Sequence, residues 1–246
     1  MSKFYCRLCT TQIDISPLLS MSPFPKAAQY YPEKNEFEKD TGITLDVYRC
    51  PSCDLLQLDC EPVSYYKEVI TAASFSKDAR KARLKELSYF VELFGLKGKR
   101  VIEVGSGKGG MVDIMNEAGM AAEGLEYSKE SIEFSQNSKI QMIQGYIDEL
   151  DSKYDNKFDA FISLNYIEHQ PDTKSFIRSL SRITKSGANG KFLLGILQKL
   201  LNNFFRSSTL FLKAKSITIK ASFLFIFSLL TTITAVISLF LLSPKV

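Results

Sequence analysis

The chain has 246 residues, 45% hydrophobic and 24% charged, which suits one medium α/β domain plus a small module. Its formal charge of +4 averages two unlike parts: residues 1–172 hold 20 Lys/Arg and all 27 Asp/Glu, whereas residues 173–246 hold 11 Lys/Arg and no acid. An acidic front argues against a nucleic-acid surface there, and a basic tail with long apolar runs suits a membrane surface instead.

The elements, in chain order, begin with cysteines. Cys6-Arg7-Leu8-Cys9 and Cys50-Pro51-Ser52-Cys53 are two C-x-x-C knuckles. His169 is the only histidine, so no multi-histidine metal site exists, and the polar N-terminus predicts no signal peptide. In a reducing cytoplasm such pairs read as metal ligands before disulfides. Two knuckles aim four thiolates at one ion, so Cys6, Cys9, Cys50 and Cys53 predict a structural zinc site with no open position. The alternatives are a redox C-x-x-C or two unrelated pairs. A redox site follows a strand and opens a helix, whereas Cys50 precedes Pro51. Cys60 reads as a small buried apolar residue. Between and after the knuckles, Ser22-Pro23-Phe24-Pro25 and Tyr30-Tyr31-Pro32 read as loops, followed by Tyr65-Tyr66 and Ser74-Phe75-Ser76. These aromatics either pack the small module or form a lid over the next domain.

Helical spacing of Ala82, Leu84, Leu87, Phe90, Val91 and Phe94 predicts a helix over 79–94, stopped by Gly95. Val101-Ile102-Glu103-Val104 reads as a buried strand running into Gly105-Ser106-Gly107-Lys108-Gly109-Gly110 and a helix from Met111 to Ala118. A glycine turn before a helix lets a ligand approach backbone N–H groups closely. In dinucleotide enzymes that ligand is a pyrophosphate. Here the acid Glu103 beside the loop suits a cation, such as a methionine-derived sulfonium with a free amino group. A strand from Ala122 ends at Glu126-Tyr127-Ser128, where a carboxylate holds a ribose diol. A helix over 129–137 and a strand over 140–143 follow, and Gln144-Gly145-Tyr146-Ile147-Asp148 then lies where adenine is edged. The fourth strand, 158–164, delivers Asn165-Tyr166-Ile167-Glu168-His169-Gln170-Pro171-Asp172 at the ligand end of a parallel sheet.

Val-Ile-Glu-Val-Gly-Ser-Gly-Lys-Gly, Gly-Leu-Glu-Tyr-Ser and the Phe-Asp-Ala-Phe…Asn-Tyr-Ile-Glu-His stretch resemble class I S-adenosylmethionine-dependent methyltransferases over about residues 80–190. With the four cysteines in front, residues 1–190 are similar to bacterial sugar C-methyltransferases that carry a zinc-binding domain and act on nucleotide-linked deoxy-keto sugars. The resemblance implies an α/β Rossmann-like sheet. It also implies S-adenosylmethionine held by Glu103, Gly105, Ser106, Gly107, Gly109, Glu126 and Tyr127, with Asn165 near it. His169, with its neighbour Glu168, is the candidate catalytic pair: a histidine past the fourth strand either takes a proton from the acceptor or anchors the loop. The Tyr-His-Glu-His-like motif that the sugar enzymes carry in a C-terminal half has no counterpart here.

The predicted organisation is a zinc module at 1–62, a helical linker or lid at 63–98, a cofactor-binding core at 99–190 and an apolar, helical tail at 191–246. The sheet is expected to be incomplete: Gly190 to Gly195 serves as a fifth strand, but the final antiparallel strands lack candidates. Residues 221–243 run 23 positions without a charge, enough for one bilayer span, with Lys213, Lys215 and Lys220 on the cytoplasmic side. Either residues 213–243 anchor an otherwise cytoplasmic protein, or the reading frame is lost near 188–195. Three functions stay open: a nucleotide-sugar C-methyltransferase, a membrane-anchored methyltransferase on a lipid-linked substrate, and a non-catalytic relic that binds zinc and cofactor.

Overall fold

A computed structural model describes residues 4–25, 33–39, 41–67, 75–136, 140–193 and 210–213. Those up to 67 form one compact unit and those from 75 onward a second.

The first unit is built from short antiparallel strands. β1 (Phe4–Tyr5) pairs with β2 (Gln12–Ile13), and β3 (Leu19–Phe24), β4 (Ile43–Arg49) and β5 (Leu56–Leu58) form a three-stranded sheet in the order β3-β4-β5. The Ser22-Pro23-Phe24 stretch expected as loop lies in β3. That strand is at the sheet edge, where a proline removes no ladder hydrogen bond. One small core joins Cys6, Ile13, Cys50 and Leu55, with Phe4, Leu8 and Tyr48 packed against it. Two of the four buried members of that cluster are thiols, so bonds from them to a metal would add cohesion to it. Cys60 is half-buried rather than buried; its carbonyl accepts a bond from the Arg7 guanidinium at 2.6 Å.

The second unit opens with α1 (Lys77–Phe94), started by the Ser76 hydroxyl accepting from Ala79 N–H and stopped by Gly95 at φ 63°. Then follow β6 (Arg100–Val104), α2 (Gly110–Glu117), β7 (Ala121–Glu126), α3 (Lys129–Gln136), β8 (Gln141–Gln144), β9 (Phe158–Leu164), α4 (Thr173–Ile183), β10 (Thr184–Leu193) and β11 (Leu210–Lys213). The sheet order is β11-β10-β9-β6-β7-β8, with β6 to β10 parallel. The first parallel strand, β6, therefore sits centrally, and the chain winds outward from it in both directions. This creates a switch point between β6 and β9, where open α/β sheets bind ligands at the carboxyl ends. Val101, Ile102 and Val104 of β6 and Ala160 and Ile162 of β9 are wholly buried, as a strand covered on both faces requires.

Two expectations about the end of the sheet change. β10 begins at Thr184, six residues before the expected start, and pairs with β9 from Phe158 onward. The final antiparallel strand also exists: Leu210 to Lys213 pair with Asn189 to Phe192, in a tail expected to be helical. Three apolar residues and a lysine cannot be told from helix by periodicity, and the otherwise open edge of β10 offers them backbone partners. The expected span at 221–243 lies outside the described residues, among which no helix is long and apolar enough to cross a membrane.

Candidate functional site

The carboxyl ends of β6 and β7 bring Glu103, the glycine loop and Glu126 together. Glu103 is 3% exposed, and its Oε2 has no hydrogen-bond partner. Burial, and next the charge of Glu126, push its pKa up to about 8. A buried, unpartnered carboxyl costs stability and persists where a ligand completes it. Two residues on, the chain leaves the strand at Gly105, whose φ of 79° favours glycine; Gly107 and Gly109 also have positive φ. The N–H groups of Gly105 and Ser106 both bond Leu125 O, at 3.0 and 3.1 Å, and the Ser106 hydroxyl donates to the same oxygen. The loop is thereby fixed against the end of β7.

Glu126 ends β7 beside that loop. Its Oε2 accepts from Gly107 N–H at 2.7 Å, and its Oε1 from the N–H groups of Tyr127 and Ser128 at 2.9 and 3.1 Å. Three of its roughly four acceptor positions are thus engaged by backbone. A diol would therefore compete with Gly107 for one oxygen. Tyr127 is exposed and meets Tyr146 edge-on, ring centroids 6.4 Å apart. Asn165, at φ 49°, turns the chain off β9. Glu168 and His169 lie in the short turn Ile167–His169, where His169 N–H bonds Tyr166 O at 3.0 Å. The His169 side chain is exposed, which leaves little weight to the downward push that desolvation gives its pKa.

Sequence reasoning missed how Gly105 is covered. A Cβ there would stand 2.2 Å from Tyr166 Cδ2, with Cγ at 2.5 Å and Cε2 at 2.8 Å. These distances are those of a point above the ring, so Tyr166 lays its face on the first glycine of the loop. Burial, and then Glu126, raise the Tyr166 pKa and keep its hydroxyl neutral. The Tyr146 hydroxyl donates to Gln170 Oε1, and Gln170 Nε2 donates to the Tyr166 carbonyl at 3.4 Å. Gln170 and Tyr146 are both buried. The residues stood in the motifs already marked, but no spacing rule shows that a tyrosine fills the place of a glycine side chain.

In the first unit the four cysteine sulfurs lie within 4.8 Å of one another. The close pairs run between knuckles, Cys6 to Cys53 and Cys9 to Cys50, each at 3.5 Å. Both are far beyond the ~2.05 Å of a disulfide. A regular tetrahedron with Zn–S bonds of ~2.3 Å has edges of about 3.8 Å, so the cluster has the dimensions of a four-thiolate shell. The knuckles repeat each other: Thr10 and Asp54 both have φ 62°, and Thr10 N–H bonds Cys6 O as Asp54 N–H bonds Cys50 O. Burial raises the Cys9 pKa, but bonds with Thr11, Cys50 and Cys53 outweigh it and bring Cys9 down to about 6.

A doubly wound sheet with an acid and a glycine loop at its switch point is the layout of class I S-adenosylmethionine-dependent methyltransferases. Residues 96–198 match the family described as a methyltransferase domain. The chain is 29% identical over 101 residues to the ubiquinone biosynthesis O-methyltransferase of Proteus mirabilis, covering 39% of this chain and 41% of that protein. The enzyme of the same name from Vibrio parahaemolyticus is 31% identical over 110 residues, 42% of this chain and 47% of the relative. The chain therefore spans less than half the length of these relatives. A solved S-adenosylmethionine-dependent methyltransferase from Mesorhizobium loti is 19% identical, with a TM-score of 0.37 over 44% of this chain and 53% of that one.

Proposed function

We propose that the chain is an S-adenosylmethionine-dependent methyltransferase acting on a small molecule, with a zinc ion held by Cys6, Cys9, Cys50 and Cys53. The observation that carries the cofactor reading is the buried Glu103 carboxyl with an unpartnered oxygen, leading into a glycine loop at the switch point. These residues fit the cofactor: Glu103 takes its ammonium group, the glycine loop its methionine chain, Glu126 its ribose hydroxyls and Tyr127 its adenine. When bound, the cofactor supplies an electrophilic methyl group.

The protein's part is to orient and to move a proton. Held groups react faster because translational and rotational freedom has already been spent. His169, exposed in the turn that follows β9 with Glu168 beside it in sequence, would accept the acceptor's proton. The four cysteines act structurally, adding cohesion to a cluster in which two of the four buried members are thiols.

The four-cysteine module in front of the domain favours the narrower reading, transfer to a carbon of a nucleotide-linked deoxy-keto sugar. A second reading, transfer to a hydroxyl oxygen, is favoured by the O-methyltransferase names of the two relatives. Methyl-labelled S-adenosylmethionine and the zinc-loaded full chain, offered keto-sugar nucleotides and hydroxylated aromatics, separate the two. Label on a sugar carbon supports the first and label on an oxygen the second. No transfer by a protein that binds the cofactor leaves the relic as the better account.

A further inference from the structure

We propose that Phe75 is a cofactor-site residue: its ring walls the glycine loop at the point where α2 begins. The inference rests on the cofactor reading above, and Phe75 lies outside the 96–198 stretch that the family matches.

Phe75 immediately precedes Ser76, the residue that caps α1. Its Cδ2 and Cε2 stand 3.4 and 3.5 Å from where a Cβ on Gly110 would be, and Gly110 is both the residue after the loop and the first of α2. The ring is held there by more than this contact. From the first turns of α1, Arg80 reaches Asp113 at 2.9 Å and Glu117 at 2.5 Å on α2. Further along, Leu87, Phe90 and Val91 share a core with Met111, Ile114 and Met115. The start of α1 is thus tied along the length of α2, and Phe75, one residue before the cap of α1, is carried with it. Yet 37% of Phe75 stays exposed beside Gly110, the residue that follows the loop. The adjacent strand carries the unpartnered carboxyl of Glu103, which marks this end of the sheet as built for a ligand. A large aromatic part-packed on the loop and part-open beside it gains by covering a bound molecule, because the remaining apolar area leaves water. It also shuts water out of the site.

The chain has no tryptophan, so Phe75→Trp introduces a sole reporter at this place. The full chain, loaded with zinc, is titrated with S-adenosylmethionine and with S-adenosylhomocysteine. Emission is expected to shift saturably, with the midpoint that calorimetry gives on the same variant. Tyr89→Trp, 59% exposed later on α1, is expected to stay silent. Phe75→Ala is expected to weaken binding about tenfold, the equivalent of ~1.4 kcal/mol, and Phe75→Leu to keep most of the affinity. Flat emission from the Phe75→Trp variant while calorimetry records binding would overturn the proposal, as would full affinity in Phe75→Ala. Absence of binding by the unaltered chain is a separate result: it overturns the cofactor reading itself, and this inference with it.

Discussion

Replacing Glu103 by glutamine should change the pH dependence of cofactor binding more than its value at low pH. In the ligand-free protein the Glu103 carboxyl is buried and its pKa is pushed up to about 8, so it is protonated at pH 6. A ligand ammonium favours the ionised form, and binding must therefore expel one proton. Each pH unit below 8 then costs ~1.4 kcal/mol, a factor of ten in Kd. Between pH 5.5 and 7.5, where the ligand's own amino group keeps its charge, affinity should rise by about two decades, limited below by whatever a neutral side chain supports. Glutamine mimics the protonated acid, so the variant should match the parent near pH 5.5, stay flat to 7.5 and release no proton. Linkage gives the matching sign for stability. An acid whose folded pKa is raised stabilises fully below its unfolded value of ~4.3, and that stability is lost as pH rises toward 8. The ligand-free parent should thus lose stability over this window, and the variant should lose less. Calorimetry in two buffers of different ionisation enthalpy counts the proton directly. A parent Kd that is flat from pH 5.5 to 7.5, with no proton released, would refute the reasoning.

Gly105→Ala combines a positive φ with a Cβ 2.2 Å from the Tyr166 ring, and should cost about 2–4 kcal/mol in thermal or urea unfolding; a loss under ~1 kcal/mol would show that the ring moves aside freely. Glu126→Gln removes the charge that draws three N–H groups and should weaken S-adenosylmethionine by about tenfold or more, measured by calorimetry, because hydrogen bonds to a charged group are worth ~1.5–3 kcal/mol. Cys50 is fully buried in the thiol cluster, so Cys50→Ser should drop bound zinc from one equivalent to none and open residues 4–67 to limited proteolysis; an unchanged zinc content would remove the four-thiolate assignment. His169 is exposed, so His169→Ala should leave the melting temperature in place while methyl transfer falls about 10²- to 10⁴-fold, and an undiminished rate would leave the histidine a loop anchor only.

Much of this was legible in the residues. The alternation of apolar runs with glycine stops placed α1, β6, α2, β7 and β9 within about two residues of where they lie, since buried parallel strands and amphipathic helices write their burial into the sequence. The knuckle spacing marked all four cysteines that come together. What stayed hidden depends on contacts distant in sequence. Tyr166 covering Gly105 and Phe75 reaching Gly110 are encoded by packing, not by period. The Glu126 bond to Gly107 N–H follows from the closeness of two loops, which a count of residues between them does not reveal. β11 was missed because three apolar residues and a lysine in an apolar tail carry no pattern of their own.

The most direct test of the central claim is calorimetric titration of the zinc-loaded full chain with S-adenosylmethionine at pH 7.5. The account predicts saturable binding of one equivalent, weakened in both Glu103→Gln and Glu126→Gln. A folded, zinc-loaded protein that binds no cofactor would contradict it.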